Sequence, residues 1–199
     1  MIRLATVGTG WIVGEFLKGV REAGGICYTA CYSRDQQRGE AFAEEWGAQK
    51  VYTDLAQMAA DEEIDAVYIA SPNRLHYEQS KLFLQHGKHV ICEKPITVEP
   101  EELQELQELA QQKNLIYIEA LIGVYLPQMK VLQGAVERLG PVHLARFDFS
   151  QYSSKYPAYL RGELPNIFNP QMATGGWMDL GIYCPVSYTH LTLPTKLEV

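Results

Sequence analysis

Nowhere does the chain carry about 18 consecutive apolar residues, so no membrane-spanning helix is expected. Met1 opens directly into a strand-like run, and no signal peptide is visible. Cysteine is sparse: Cys27, Cys31, Cys92 and Cys184 contain no C-x-x-C pair. Cys27 and Cys31 stand four apart in a strand-like run, on one side of it but too far apart to bridge easily. Reduced thiols in a cytoplasmic protein are expected, with no metal site. Positive charge is also short. Seventeen Lys and Arg against 24 Asp and Glu leave a net charge of −7, which argues against a nucleic-acid or anionic-membrane surface. A small anionic ligand needs only a local patch and stays open. No internal repeat and no low-complexity linker divides the 199 residues, enough for one large domain or for one domain and part of another.

What is present is alternation. IRLATV (2–7) is an apolar run ending in Gly-Thr-Gly, after which Ile12, Val13, Phe16, Leu17 and Val20 fall on one helical face up to Gly24-Gly25. ICYTACYS (26–33) predicts a second strand, followed by a polar helix from Asp35 to about Trp46. IDAVYIAS (64–71) predicts a third strand, and a helix through Leu82 and Leu84 leads to Gly87 and to KHVIC (88–92), a fourth. The run 99–112 predicts a helix with Pro100 in its first turn and Leu103, Leu106 and Leu109 or Ala110 inward; LIYIEAL (115–121) predicts another strand. Strand and helix in turn indicate a doubly wound α/β fold around a parallel sheet. Beyond Gly123 the texture changes. A helix near 127–139 precedes the long alternating run 141–154, which predicts a strand of an open-faced antiparallel sheet.

The turn Gly8-Thr9-Gly10-Trp11-Ile12 lies between the first strand and the first helix. Gly8 permits the tight turn, Gly10 lets backbone approach a pyrophosphate, and the helix start offers N–H donors and a positive dipole end. The third position of G-x-G-x-x-G is Val13, with Gly14 one place later, so the fingerprint is imperfect. At the end of the second strand stand Ser33 and Arg34, with Arg38 one turn on. A hydroxyl and two guanidinium groups suit the 2′-phosphate of NADP through charge-assisted hydrogen bonds. Alternatively, Asp35 holds the ribose of NAD, or it caps the next helix while Arg34 is solvated.

The set GTGWI, CYSRD, ASPNRLH, CEKPIT and GGWMDLGIY, in this order, resembles the Gfo/Idh/MocA family of sugar and polyol oxidoreductases across residues 1 to about 185. The resemblance implies an N-terminal Rossmann domain (1–122) and the incomplete start of a C-terminal α/β substrate domain with an open antiparallel sheet (123–186). It places Ser71, Pro72, Asn73 and His76 along the ribose and nicotinamide side of the cofactor. Glu93, Lys94 and Pro95 match the family's Glu-Lys-Pro motif, whose peptide bond before proline is typically cis, and Asp179 and Tyr183 match its D-x-G-x-[HY] motif. Open parallel sheets bind ligands beyond the carboxyl ends of their strands, where HVIC runs into Glu93-Lys94. There Lys94 is the candidate to hold the substrate oxygen, Tyr183 the proton donor and acceptor, and Asp179 the group that orients the substrate hydroxyl or Lys94. His76 at a helix start is equally a capping or packing residue. The implied function is hydride transfer between NADP, or NAD, and a sugar, polyol or dihydrodiol, by a parent enzyme that is a homo-oligomer. An NADP-binding sensor without turnover and an S-adenosylmethionine methyltransferase are the competing classes.

Residues 185–199 (PVSYTHLTLPTKLEV) depart from the family pattern: polar, β-prone and without amphipathic helical spacing. They read as a non-native tail, set at 187–199, on a truncated chain. A lone strand over 141–154 would then lack the partners an open sheet needs.

Overall fold

Six strands pair only in parallel: β1 (Ile2–Val7), β2 (Ile26–Tyr32), β3 (Lys50–Tyr52), β4 (Ala66–Ile69), β5 (His89–Cys92) and β6 (Tyr117–Glu119). Their order is β3-β2-β1-β4-β5-β6, the Rossmann arrangement in which the chain reverses direction beside the first strand. This is a computed structural model that describes residues 1–192. The sheet and its helices form one compact unit, Met1–Ala120, and a second unit begins at Leu121.

Alternation along the strands divides the core into two layers. Leu4, Cys31, Ala66 and Tyr68 face α1 (Trp11–Ala23) and α2 (Gln36–Trp46), which contribute Val13, Leu17, Phe42 and Ala43. Ala5, Val7, Val67, Ile69, Val90 and Cys92 face α3 (Leu55–Ala60), α4 (His76–Gln85) and α5 (Pro100–Gln112). Helix α5 starts in a capping box of Glu99 and Glu102 with Pro100 in the first turn, and buries Leu106 and Ala110. The first helix crosses close to the second at Gly14, where an added Cβ would lie 2.9 Å from the Trp46 ring. Gly14 thus meets the close-packing need that the fingerprint assigns one residue earlier, while Val13 is fully buried against the sheet. Both β3 and α3 escape the sequence periodicity because three and six residues hold too little of either repeat.

In the second unit, α6 (Ile122–Tyr125) and α7 (Pro127–Leu139) are followed by α8 (Tyr156–Leu160), a π-helical turn (Trp177–Gly181) and α9 (Tyr183–Thr192). Two expectations are corrected here. The run 141–154 forms no strand among the described residues, since no neighbouring segment offers a ladder to pair with. The segment from Pro185, read as non-helical, continues α9 to Thr192. Pro185 falls in the first turn, where its missing N–H costs nothing, and the Ser187 and Thr189 hydroxyls donate to the Tyr183 and Pro185 carbonyls one turn back (2.7 and 3.0 Å). The rest of the tail, 193–199, lies outside the described residues.

At the amino-terminal edge of the sheet, Arg3 grips Asp65 with a two-pronged bond: Nε to Oδ2 at 3.0 Å and Nη2 to Oδ1 at 2.6 Å. The Arg3 backbone N–H adds a third bond to the same carboxylate at 2.8 Å. The guanidinium bonds hold the Asp65 carboxyl at about 2, although partial burial opposes this. Because the folded value lies below the unfolded one of about 3.9, the associated stability is complete above about pH 4 and is lost as pH falls toward 2. Asp65→Asn is therefore expected to lower the urea midpoint at pH 7 and to flatten its fall between about pH 4 and 2. A profile parallel to wild type would count against the pair.

Candidate functional site

Between β1 and α1 the chain turns at Gly8, whose φ of 112° and the Ala70 carbonyl 3.0 Å from a hypothetical Cβ leave room only for glycine. Its N–H donates to the Tyr32 carbonyl at 3.1 Å, tying the turn to the end of β2. Gly10 begins α1 with no side-chain cap, and the first turn carries no acidic residue. A Cβ on Gly10 would meet nothing within 4 Å, so open space lies over the positive end of the helix. Trp11 is 79% exposed beside it, and Ile12 packs inward. This set fits a pyrophosphate: glycine where a side chain would intrude, and a helix start with no competing carboxylate.

At the end of β2, Ser33 is buried and its Oγ accepts from the Asp35 N–H at 3.3 Å. Asp35 caps α2, accepting from the Arg38 N–H at 2.8 Å. Arg34 is exposed. Arg38 reaches across to the glycine turn, where its Nη2 donates to the Thr9 carbonyl at 3.4 Å. A guanidinium therefore spans the gap between the second strand and the phosphate turn.

The ends of β4, β5 and β6 form a polar cluster. Beyond β4, the Ser71 Oγ donates to Gln79 at 2.7 Å, and Pro72-Asn73 lead through a short 3₁₀ turn (Asn73–Leu75) into α4. His76 opens α4 fully buried, with Nδ1 2.8 Å from the Pro95 carbonyl and Nε2 2.9 Å from the Ser71 carbonyl. Each ring nitrogen thus faces a backbone carbonyl, and the neutral ring, with its single N–H, donates to one of the two. Beyond β5, Glu93 accepts from the Tyr68 hydroxyl at 2.5 Å and from the Lys94 N–H at 3.3 Å. Tyr68 stacks on Phe16 of α1 with ring centroids 3.8 Å apart. Burial, with the Glu93 carboxylate beside it, pushes the Tyr68 phenol far above its ordinary range, so it serves as a donor only. The Lys94–Pro95 peptide is cis.

Gln79, Tyr68 and Glu119 of this cluster are absent from the sequence-based set. Tyr68 looks like a core strand residue, and nothing in its spacing signals a carboxylate partner. Glu119 sits in LIYIEAL, where a lone acid in an apolar strand was the available signal. Its Oε1 accepts from the Ile96 N–H at 2.8 Å, and burial pushes its carboxyl above the usual range against the pull of that bond.

Within the second unit, Asp179 lies in the π-helical turn and donates its backbone N–H to the Gly175 carbonyl at 2.9 Å. Tyr183 opens α9 and meets the Phe149 ring edge-on at 5.3 Å. The two are four residues apart, about one helical turn.

The sequence profile of the Gfo/Idh/MocA oxidoreductase family, with its NAD-binding Rossmann fold, matches residues 2–121. The chain is 41% identical over 184 residues to a scyllo-inositol 2-dehydrogenase (NADP(+)) of Bacillus subtilis, covering 92% of this chain and 56% of that protein. It is 30% identical over 157 residues to the trans-1,2-dihydrobenzene-1,2-diol dehydrogenase of Mus musculus, covering 78% and 45%. The crystal structure of the 3-ketoreductase KijD10 from Actinomadura kijaniata, in complex with NADP and TDP-benzene, has a TM-score of 0.82 over 96% of this chain and 57% of that one. At 22% identity that is a likeness of fold. The chain spans about half the length of the curated relatives it matches.

Burial holds the His76 ring below its ordinary pKa of 6.5, more than its two carbonyl neighbours and Glu93 raise it. As pH falls the unfolded chain takes up this proton first, so stability is complete above about pH 7 and drains below about 6.5. Urea midpoints measured from pH 7.5 to 5 are expected to fall for wild type and to fall less for His76→Gln. Equal slopes would remove the neutral buried ring.

Proposed function

The chain belongs to the Gfo/Idh/MocA oxidoreductase family, and from that premise we propose an NAD(P)-dependent oxidoreductase, NADP favoured, acting on a sugar, polyol or dihydrodiol. The observation that carries the reading is that the Lys94 turn and the glycine turn leave the same carboxyl-terminal rim of one parallel sheet. The residues at the glycine turn suit a dinucleotide. Gly8 and Gly10 leave room for the pyrophosphate, Thr9, Trp11 and Ile12 frame it, and the start of α1 supplies N–H donors. Ser71, Pro72, Asn73, His76 and Glu93 line the ribose and nicotinamide side. When bound, the cofactor accepts or supplies hydride at its nicotinamide.

The chain's own groups bind, orient and move the proton. Lys94 donates a hydrogen bond to the substrate oxygen and stabilises the negative charge that develops there as the carbon–hydrogen bond is made or broken. In the reducing direction Tyr183 gives its phenolic proton to that oxygen, and in the oxidising direction its phenolate takes the proton back. Asp179 orients the substrate hydroxyl or the Lys94 ammonium. The roles of Asp179 and Tyr183 rest on the D-L-G-I-Y run and on no distance to Lys94. Residues 123–186 contribute the incomplete start of the substrate domain. Four unbridged thiols suit a reducing cytoplasm, and a homo-oligomeric whole protein follows the family.

Preference for NADP rests on Ser33, Arg34 and Arg38. The reach of Arg38 toward Thr9 supports it, and so does the NADP(+) specificity in the name of the inositol dehydrogenase relative. Each charge-assisted bond to a 2′-phosphate is worth roughly 1.5–3 kcal/mol, about tenfold or more in affinity. Arg34→Ala and Arg38→Ala are each expected to weaken NADPH binding about tenfold, with little change for NADH, in a fluorescence titration. Equal losses for both cofactors would remove the NADP assignment. Lys94→Ala is expected to lower turnover by about 10² to 10⁴ while the NADPH dissociation constant stays within about twofold. Wild-type turnover in that variant would overturn the mechanism.

A further inference from the structure

The peptide that follows the Lys94–Pro95 pair is held at both of its polar ends by side chains from other elements. Its carbonyl, on Pro95, lies 2.8 Å from the Nδ1 nitrogen of His76 in α4, which donates to it in the tautomer that carries the proton on Nδ1. Its N–H, on Ile96, donates to Glu119 of β6 at 2.8 Å. The other nitrogen of His76 faces the Ser71 carbonyl at 2.9 Å, and the neutral ring carries one N–H, so with the proton on Nδ1 it donates to Pro95 and not to Ser71. On the far side of Lys94, the Glu93 N–H donates to the Ile69 carbonyl at 2.8 Å, and the Glu93 carboxylate takes the Tyr68 hydroxyl. Lys94 therefore sits between two anchored peptides, with the ring of Pro95 fixing the torsion between them.

We propose that Glu119 and His76 are positioning residues that clamp the 95–96 peptide and thereby aim the Lys94 side chain over the rim. Rotating this peptide breaks the bond from Ile96 to Glu119 and the contact to His76 together, at a half-buried place where lost backbone bonds are costly. Glu119 is suited to the task because either ionisation state leaves an oxygen to accept the Ile96 N–H. Charged or titratable neighbours facing its carboxyl are Glu93, Lys94, Tyr117 and Cys92. The assignment to Lys94 aim rests on the redox reading above, whereas the clamp itself does not.

The test uses NMR and kinetics on the whole chain. In Glu119→Ala the Ile96 amide is expected to exchange with solvent at least about tenfold faster, while Val7 and Ile69 in the sheet interior are unchanged. The Lys94 Cε resonance should move toward its free-chain position. Glu119→Gln, which keeps an acceptor oxygen, should restore both. In turnover, Glu119→Ala should lower kcat about tenfold to a hundredfold with the NADPH dissociation constant within about twofold, and Glu119→Gln should recover most of it. If Glu119→Ala does not fold, the wild type decides: the Ile96 amide proton shift should follow the titration of the Glu119 carboxyl carbon, and Glu119→Gln should abolish that dependence. An Ile96 amide indifferent to Glu119, or a Lys94 resonance unmoved when the clamp is cut, would overturn the proposal. Absence of any nicotinamide-dependent turnover in wild type would instead strike the redox reading and leave the exchange result to judge the clamp.

Discussion

A staircase of five main-chain hydrogen bonds just beyond the strand ends governs everything at the rim. Gly8 donates to Tyr32, Ser33 to Tyr52, Ala70 to Val7, Glu93 to Ile69 and Ala120 to Cys92, at 2.7 to 3.1 Å. Each bond extends the parallel ladder by one residue past the strand and sets where the next loop leaves the sheet. The glycine turn, the Ser71 loop, the Lys94 turn and the stretch after Glu119 consequently emerge side by side. A shift of one residue in any strand would turn its side chains to the opposite face. Tyr68 would then leave Phe16 and Glu93, and Glu119 would no longer reach Ile96.

The polar groups under this rim follow from that geometry. Strands buried on both faces end in backbone and side-chain groups that water does not serve, so each needs a protein partner. Tyr68 meets Glu93, Ser71 meets Gln79, and His76 lies between two carbonyls. One atom in this region, the Ser80 hydroxyl oxygen, is buried without a partner among the described residues. It lies on α4 next to Cys92 and Tyr117, whose thiol and phenol burial pushes well above their ordinary ranges.

Much of this was legible from residue spacing. The longer apolar runs became strands, the 3.6-residue patterns became helices, and the motif from 127 became α7 with the anticipated bounds. Short elements were not legible: β3 and α3 owe their existence to the β2 edge and the core that receives Met58 and Ala59, both tertiary effects. The alternating run 141–154 illustrates the converse, since alternation states which face a strand would bury but cannot supply the strand beside it. At the site, residue types that do chemistry were visible at strand ends, whereas partners that act across the fold were not. Gly14 stands one place late in the fingerprint, and only its contact with Trp46 explains the offset. Glu119 and Tyr68 sit in hydrophobic strands, and the pairing that gives them a role spans 23 and 25 residues of sequence.

Both outer strands of the sheet, β3 and β6, are only three residues long. A border strand exposes a row of unpaired amide and carbonyl groups on which another chain can add, and brevity is one way proteins blunt that hazard. Here the six-residue and seven-residue strands lie inside the sheet, already paired on both sides. A foreign strand approaching either margin finds too few groups to hold it, which protects the nascent domain against edge-to-edge aggregation during folding.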